Sequence, residues 1–363
     1  MRIVRRVLSI ALICVGALAL FVWLTREGTT PQFTDAQGAP LAGSVAEMRW
    51  LNLGGVDQSV VIRGRRKSAP ILVWIHGGPG FPETGMFRRH NASLEDHFVV
   101  VYWTQRGAGR SYSPSIQASS MTLQRFVADL DELIGYVHSR FGRRPVVLVG
   151  HSWGTSIGVA YAQRHPKKVA AYVGVGQVVN TQEGERRSYQ YVLSEARRRR
   201  DDAGIKALTQ LGSPPYGQSQ INAQRVWLER YDGGVFREPT SLATMLWRSL
   251  QEPEVTLYDL VLLGPGTNFS QHALVTENAK VNWMARAPAF EMPVFIISGR
   301  HDYMTDGRLA YQYYEHIRAP QKSFHWFERS AHSPMFEEDQ AFNQLIVSQV
   351  LPIAAKATDD ATR

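Results

Sequence analysis

Residues 146–154, Val-Val-Leu-Val-Gly-His-Ser-Trp-Gly, constrain this chain more than any other stretch, because a β-branched run ends there on Gly-x-Ser-x-Gly. Four apolar residues after Pro145 are too few for a helix and suit a buried parallel strand. Residues 155–165 are mostly small and apolar, contain no proline, and predict a helix. A serine between two glycines at a strand-to-helix junction is a nucleophile elbow. Such a turn forces unusual backbone angles on Ser152, while Gly150 and Gly154 let strand and helix backbones pass closely.

Strands and helices alternate around this elbow. Residues 48–64 predict a hairpin about Gly54-Gly55, and 71–75, 98–103 and 169–175 predict buried strands. Between them, Leu123, Phe126, Val127, Leu130, Leu133, Ile134 and Val137 recur at helical spacing over 122–141. The rhythm argues for an α/β fold, a mostly parallel central sheet with helices on both faces. It stops at Gly176. From there to 287 the chain offers helical stretches (182–202, 220–231, 242–251, 270–284) punctuated by Pro214-Pro215 and Gly264-Pro265-Gly266. An inserted α-helical cap of this kind lids a site. Strands resume at 293–297 and 324–327, and an amphipathic helix over about 337–350 closes the fold. The predicted organisation is an N-terminal membrane anchor or signal sequence (1–27), a linker (28–47), the first segment of the core (48–176), the cap (177–288) and the second segment of the core (289–363).

The N-terminus carries Arg2, Arg5 and Arg6 before residues 7–24, an apolar run whose only polar member is Ser9. A secretory apolar region spans ~7–15 residues and a membrane-crossing helix about 20. An uncleaved transmembrane signal anchor is therefore expected, with secretion after signal cleavage as the alternative. The arginines before the run place the catalytic domain outside the cytoplasm, in the periplasm of a bacterium. Of the net charge of +8, three units sit in those arginines. The run Arg197 to Arg200 is followed at once by Asp201 and Asp202, which reads as a solvated helix face, so no nucleic-acid partner is expected. The single cysteine, Cys14, lies in the apolar run, leaving the globular region without a disulfide.

A serine hydroxyl needs a base within hydrogen-bond reach and a carboxylate to fix that base's tautomer. With a nucleophile elbow, the order along the chain is Ser, acid, His, each on a loop after a strand. Asp302 falls just past the strand at 293–297, with Asp306 as a nearby rival, and His332 falls just past the strand at 324–327. His151 and His301 are assigned to shaping loops. The oxyanion donors are expected to be the backbone N–H groups of Trp153, at a helix N-terminus, and of Gly78, in the His76-Gly77-Gly78-Pro79-Gly80 loop after the strand at 71–75. There is no metal-binding motif and no dinucleotide fingerprint, so neither a metal nor a cofactor is expected.

Four stretches together resemble the proline iminopeptidase (prolyl aminopeptidase) family of α/β-hydrolase serine peptidases: HGGPG at 76–80, QRGAGRS at 105–111, GHSWGTSIG at 150–158, and the Asp302 and His332 loops. The resemblance spans about 48–351. It implies an α/β-hydrolase fold and a serine exopeptidase that removes an N-terminal residue, often proline, from a peptide. It also implies cap carboxylates for the substrate's free amino group, for which Glu183, Glu185 and Glu195 are candidates. Two positions depart from the family: Thr104 stands where an Asp is usual, leaving the Arg106 loop without its carboxylate, and His151 stands where Gly is common. The alternative activity is that of an esterase, lactonase or amidase using the same three residues on small acyl substrates. The expected partners are thus a peptide or small acyl substrate and, through the N-terminal helix, a membrane; oligomeric state is left open.

Overall fold

The computed structural model describes residues 14, 16–17, 20–22, 24–238 and 242–362. Eight strands form one sheet: β1 (Val45–Leu53), β2 (Val56–Gly64), β3 (Ile71–Ile75), β4 (Val99–Trp103), β5 (Val146–His151), β6 (Val169–Val175), β7 (Val294–Gly299) and β8 (Lys322–Phe327). Their spatial order is β1-β2-β4-β3-β5-β6-β7-β8. The β1–β2 hairpin joins β4 antiparallel, and every pairing from β4 through β8 is parallel. Strands β3 to β7 are buried on both faces, which is why they read as unbroken apolar runs. Alternation decides which layer each residue joins. Ile71, Val73 and Ile75 pack with Leu130, Leu133 and Ile157 on one face, while Leu72 and Trp74 pack with Phe87, Leu94 and Phe342 on the other.

Between β6 and β7 in sequence lie the cap helices Thr181–Arg198, Asp202–Leu211, Gln218–Arg230, Leu242–Leu250 and Leu257–Asn278. Two differ from the sequence expectation. The predicted helix 182–202 breaks at Arg200, which takes φ 56°, and Asp201 then caps a separate helix by accepting from the Gly204 N–H at 3.0 Å. Gly264-Pro265-Gly266, expected to interrupt the cap, instead lies inside one continuous helix with Pro265 in its interior. The missing proline donor is tolerated there because the next residue is held against another region of the protein. A Cβ on Gly266 would stand 2.9 Å from the Gly107 carbonyl, so the helix packs backbone-close onto the 105–111 loop. Thr267 and Ser270 add hydroxyl hydrogen bonds to the Gly80 and Gly107 carbonyls. At the C-terminus the helix expected at 337–350 passes through a π turn at Ile346–Val350 and continues as Leu351–Thr362.

The membrane-anchored, extracytoplasmic placement expected from residues 7–24, and the transmembrane helix with it, is corrected. Among the described residues no helix is long and apolar enough to cross a membrane. Residues 1–13, 15, 18, 19 and 23 of the expected anchor or signal lie outside the described residues. From Glu27 on, the chain lies against the body of the protein: Arg110 donates to the Glu27 carbonyl, Thr29 N–H to the Pro253 carbonyl, and the Thr30 hydroxyl to Glu254. That contact adjoins a buried ionic cluster of Arg63, Arg88, Glu95 and Glu254.

The carboxylate missing at position 104 comes from elsewhere. Arg106, almost wholly buried, is gripped by Asp129 of the helix Leu123–Phe141, with Nε–Oδ2 2.5 Å and Nη2–Oδ1 3.0 Å. Gln58 and Arg125 also donate to Asp129. Removing one member of a buried, hydrogen-bonded pair strands the other's charge. Asp129→Ala is therefore expected to destabilise the fold by about 3–5 kcal/mol, read as a lowered midpoint in urea denaturation.

Candidate active site

Strand β5 delivers Ser152 to the start of the helix Trp153–Arg164 with φ 53° and ψ −119°, a conformation costly for any residue with a side chain. The close approach that makes the turn possible is at Gly154, where a Cβ would lie 2.0 Å from the Ile75 carbonyl. The elbow is pinned on both sides: Ser152 N–H donates to the Val175 carbonyl, and Thr155 Oγ1 donates to the Ser152 carbonyl at 2.6 Å while accepting from Val178 N–H. Trp153 opens the helix, so its N–H has no partner within the helix.

His332 Nδ1 lies 2.9 Å from Asp302 Oδ2, and both residues are buried. Asp302 also accepts from Met304 N–H, Thr305 N–H and the Thr305 hydroxyl. Burial pushes its carboxyl up, yet His332 and the two Thr305 donors outweigh burial and hold it below the usual carboxylate range. With Nδ1 committed to Asp302, His332 Nε2 is left buried without a hydrogen-bond partner among the described residues. Asp306, the rival acid, instead caps the helix Gly307–His316 by accepting from Leu309 N–H and binds Arg187.

The two glycine loops are joined to the elbow through Gln105. Its side chain donates to the His76 carbonyl at 2.8 Å and accepts from the Trp153 indole at 3.1 Å. Its backbone N–H donates to His76 Nε2, a bond only a neutral imidazole can accept, and burial lowers the His76 pKa accordingly. Glu83, which the sequence reading did not single out, ties together three further elements. One oxygen accepts from Gly77 N–H at 3.2 Å and the other lies 2.7 Å from His151 Nδ1, whose Nε2 is 3.1 Å from the His332 carbonyl. A carboxylate in a Pro- and Gly-rich loop gave no periodic or spacing signal. Glu337, half-buried and pushed up to about 7, accepts from Ala331 N–H beside His332 and from Arg237 N–H of the cap.

Two cavities meet at Ser152. One of about 610 Å³ is lined by His332, His151, Glu83 and Glu229 with a set of Phe and Met side chains. The other, about 190 Å³, is lined by Trp153, Asn180, Glu185, Asn222 and Arg225. Gly78 lines both. Of the three cap glutamates, Glu185 reaches the smaller cavity, paired with Arg225. Glu183 and Glu195 are not among the residues lining either cavity. Arg186 and Arg187 hold Glu183, depressing it to about 2, and Arg198 and Arg199 hold Glu195. The arginine run is thus partly satisfied on its own helix.

A model of the alpha/beta hydrolase fold family matches residues 70–339, and the chain belongs to that family. It is an enzyme of the hydrolase class built on this fold. Among its relatives, "Probable aminopeptidase YbaC" of Bacillus subtilis (strain 168) is 33% identical over 307 residues, covering 84% of this chain and 96% of that protein. A proline iminopeptidase of Heyndrickxia coagulans is 24% identical over 288 residues, 76% of this chain and 88% of that one. The crystal structure of the proline iminopeptidase of Mycobacterium smegmatis is similar with TM-score 0.62 at 18% identity, over 87% of this chain and 100% of that chain. An esterase from Exiguobacterium antarcticum gives 0.57 at 16%, over 84% and 99%. At those identities the two structures speak for the fold alone.

Burial alone would lower the His151 imidazole, but Glu83 and the His332 carbonyl together raise it above its ordinary value. A base raised in the folded state contributes stability that is complete below about pH 6.5 and lost as pH climbs through its folded pKa. Glu83→Gln is accordingly expected to cost most stability near pH 6 and progressively less at higher pH, measured as the difference in urea midpoints from wild type across pH 5.5–9.

Proposed function

We propose that the protein is a serine aminopeptidase that releases a single N-terminal residue from peptides through an acyl-enzyme on Ser152. The observation that carries this reading is His332, held on one ring nitrogen by Asp302 while the other stands unpartnered among the described residues at the cavity it shares with Ser152. Ser152 Oγ attacks the carbonyl of the first residue as His332 Nε2 takes its proton, and Asp302 stabilises the resulting imidazolium. The N–H groups of Trp153 and Gly78 receive the charge that develops on the carbonyl oxygen. When the C–N bond breaks, His332 returns the proton to the leaving amine, and water then releases the acyl group by the same path reversed.

The free amino group is what separates an aminopeptidase from an esterase on the same residues. Support for amine recognition comes from the relatives' names and from Glu185, which lines the smaller cavity beside Trp153. Its carboxylate is shared with Arg225, so an arriving ammonium completes a three-charge cluster rather than meeting an isolated acid. Wild type is expected to cleave Ala- and Pro-linked chromogenic amides and to spare their N-acetyl counterparts. Ser152→Ala should lose at least about 10³-fold in kcat with its thermal midpoint retained. Cleavage of acetylated esters alone would establish the esterase reading instead. Glu185→Ala should raise KM for free-amine substrates about tenfold or more, with a smaller effect on kcat, because a charge-assisted hydrogen bond to the ground state is lost.

A further inference from the structure

The two cavities at Ser152 differ in character. In the larger, His332 shares the wall with Phe81, Met86, Phe236, Met245 and Phe336. In the smaller, Trp153 shares it with Asn180, Glu185, Asn222 and Arg225. Gln271 of the helix Leu257–Asn278 and Met304 of the Asp302 loop line both, and so stand between them. A substrate carbonyl bound at Ser152 must direct its acyl group into one chamber and its leaving group into the other.

The base fixes the direction. The proton that His332 Nε2 takes from Ser152 Oγ goes next to the leaving nitrogen, so that nitrogen lies on the His332 side. The acyl group falls toward the cavity that Trp153, the first oxyanion donor, helps to wall. Resting on the aminopeptidase reading above, we propose that the large apolar chamber is the leaving-group site and that Phe236, Met245 and Phe336 select for a bulky apolar second residue. The small polar chamber then takes a small first residue, alanine or proline in size. As the Oγ–carbonyl bond forms and the C–N bond breaks, the amine departs with the proton from Nε2 into the apolar chamber. Glu229 also faces that chamber, its carboxylate accepting from Val235 N–H at 2.8 Å. A leaving group bearing its own carboxylate meets repulsion there.

C-terminally amidated dipeptides test this, with release of the first residue followed by mass spectrometry. In the series Ala-Xaa-NH₂, kcat/KM for Xaa = Leu or Phe should exceed that for Gly by about tenfold or more, the return on burying one large side chain, and Asp should be poorest. In the series Xaa-Phe-NH₂ the order should reverse, with Ala and Pro ahead of Phe and Trp. Met245→Trp, which fills the chamber, should collapse the Phe-to-Gly ratio of the first series toward one. A flat first series, size tolerance at the first residue instead of the second, or a ratio unmoved by Met245→Trp overturns the assignment. Failure of the aminopeptidase reading looks different: only esters or N-acetylated compounds are turned over. The chamber assignment then survives if phenethyl esters outrun methyl esters of the same acid by a similar factor and falls if they do not. A wild-type protein that cleaves none of these overturns both.

Discussion

The contact on which the site's geometry depends is the buried pair of Glu83 and His151. Neither belongs to the Ser–His–Asp set, yet between them they touch the glycine loop at Gly77, the elbow at position 151 and the backbone of His332. Three loops that follow β3, β5 and β8 are thereby fixed to one another by two side chains with little exposure to solvent. In a parallel sheet these loops issue from strands that are not all neighbours, and the pleat alone does not set their mutual spacing. A hydrogen-bonded pair in a low-dielectric setting does so with a direction, because each atom of it is committed to a named partner.

The elbow, the Asp302 and His332 loops and the glycine loops were legible because each is a local pattern: a strand of apolar residues followed by a turn whose glycines and functional residue sit at fixed offsets. What escaped the sequence reading depends on contacts distant along the chain. Asp129 supplies the carboxylate for Arg106 from a helix where it looks like an ordinary polar position, and Glu83 sits in a loop with no period to betray it. The continuity of the helix through Pro265 was hidden for the same reason, since what holds it there is contact with Gly80 and Gly107, far away in sequence. The apolar N-terminal run read as an anchor because hydropathy weighs composition alone.

The cap glutamates show how neighbours separate three residues of one type. All three lie on one helix, Thr181–Arg198, and on charge alone none is preferred. Spacing separates them: Glu183 has arginines three and four residues on, as does Glu195, and each carboxylate is consumed by those local pairs. Glu185 has no such neighbours at those offsets and finds Arg225 of another helix, at the wall of the small cavity.

The cap meets the core at both ends of the chemistry. The helix Leu257–Asn278 seats Thr267 and Ser270 on the Gly80 and Gly107 carbonyls, while Tyr303 and His332 donate their backbone N–H groups to the carbonyls of Gly233 and Gly234. The cap is consequently stitched to the loops that carry Gly80, Gly107, Asp302 and His332 alike. Lifting the cap away would break these backbone and hydroxyl contacts at all of those loops together.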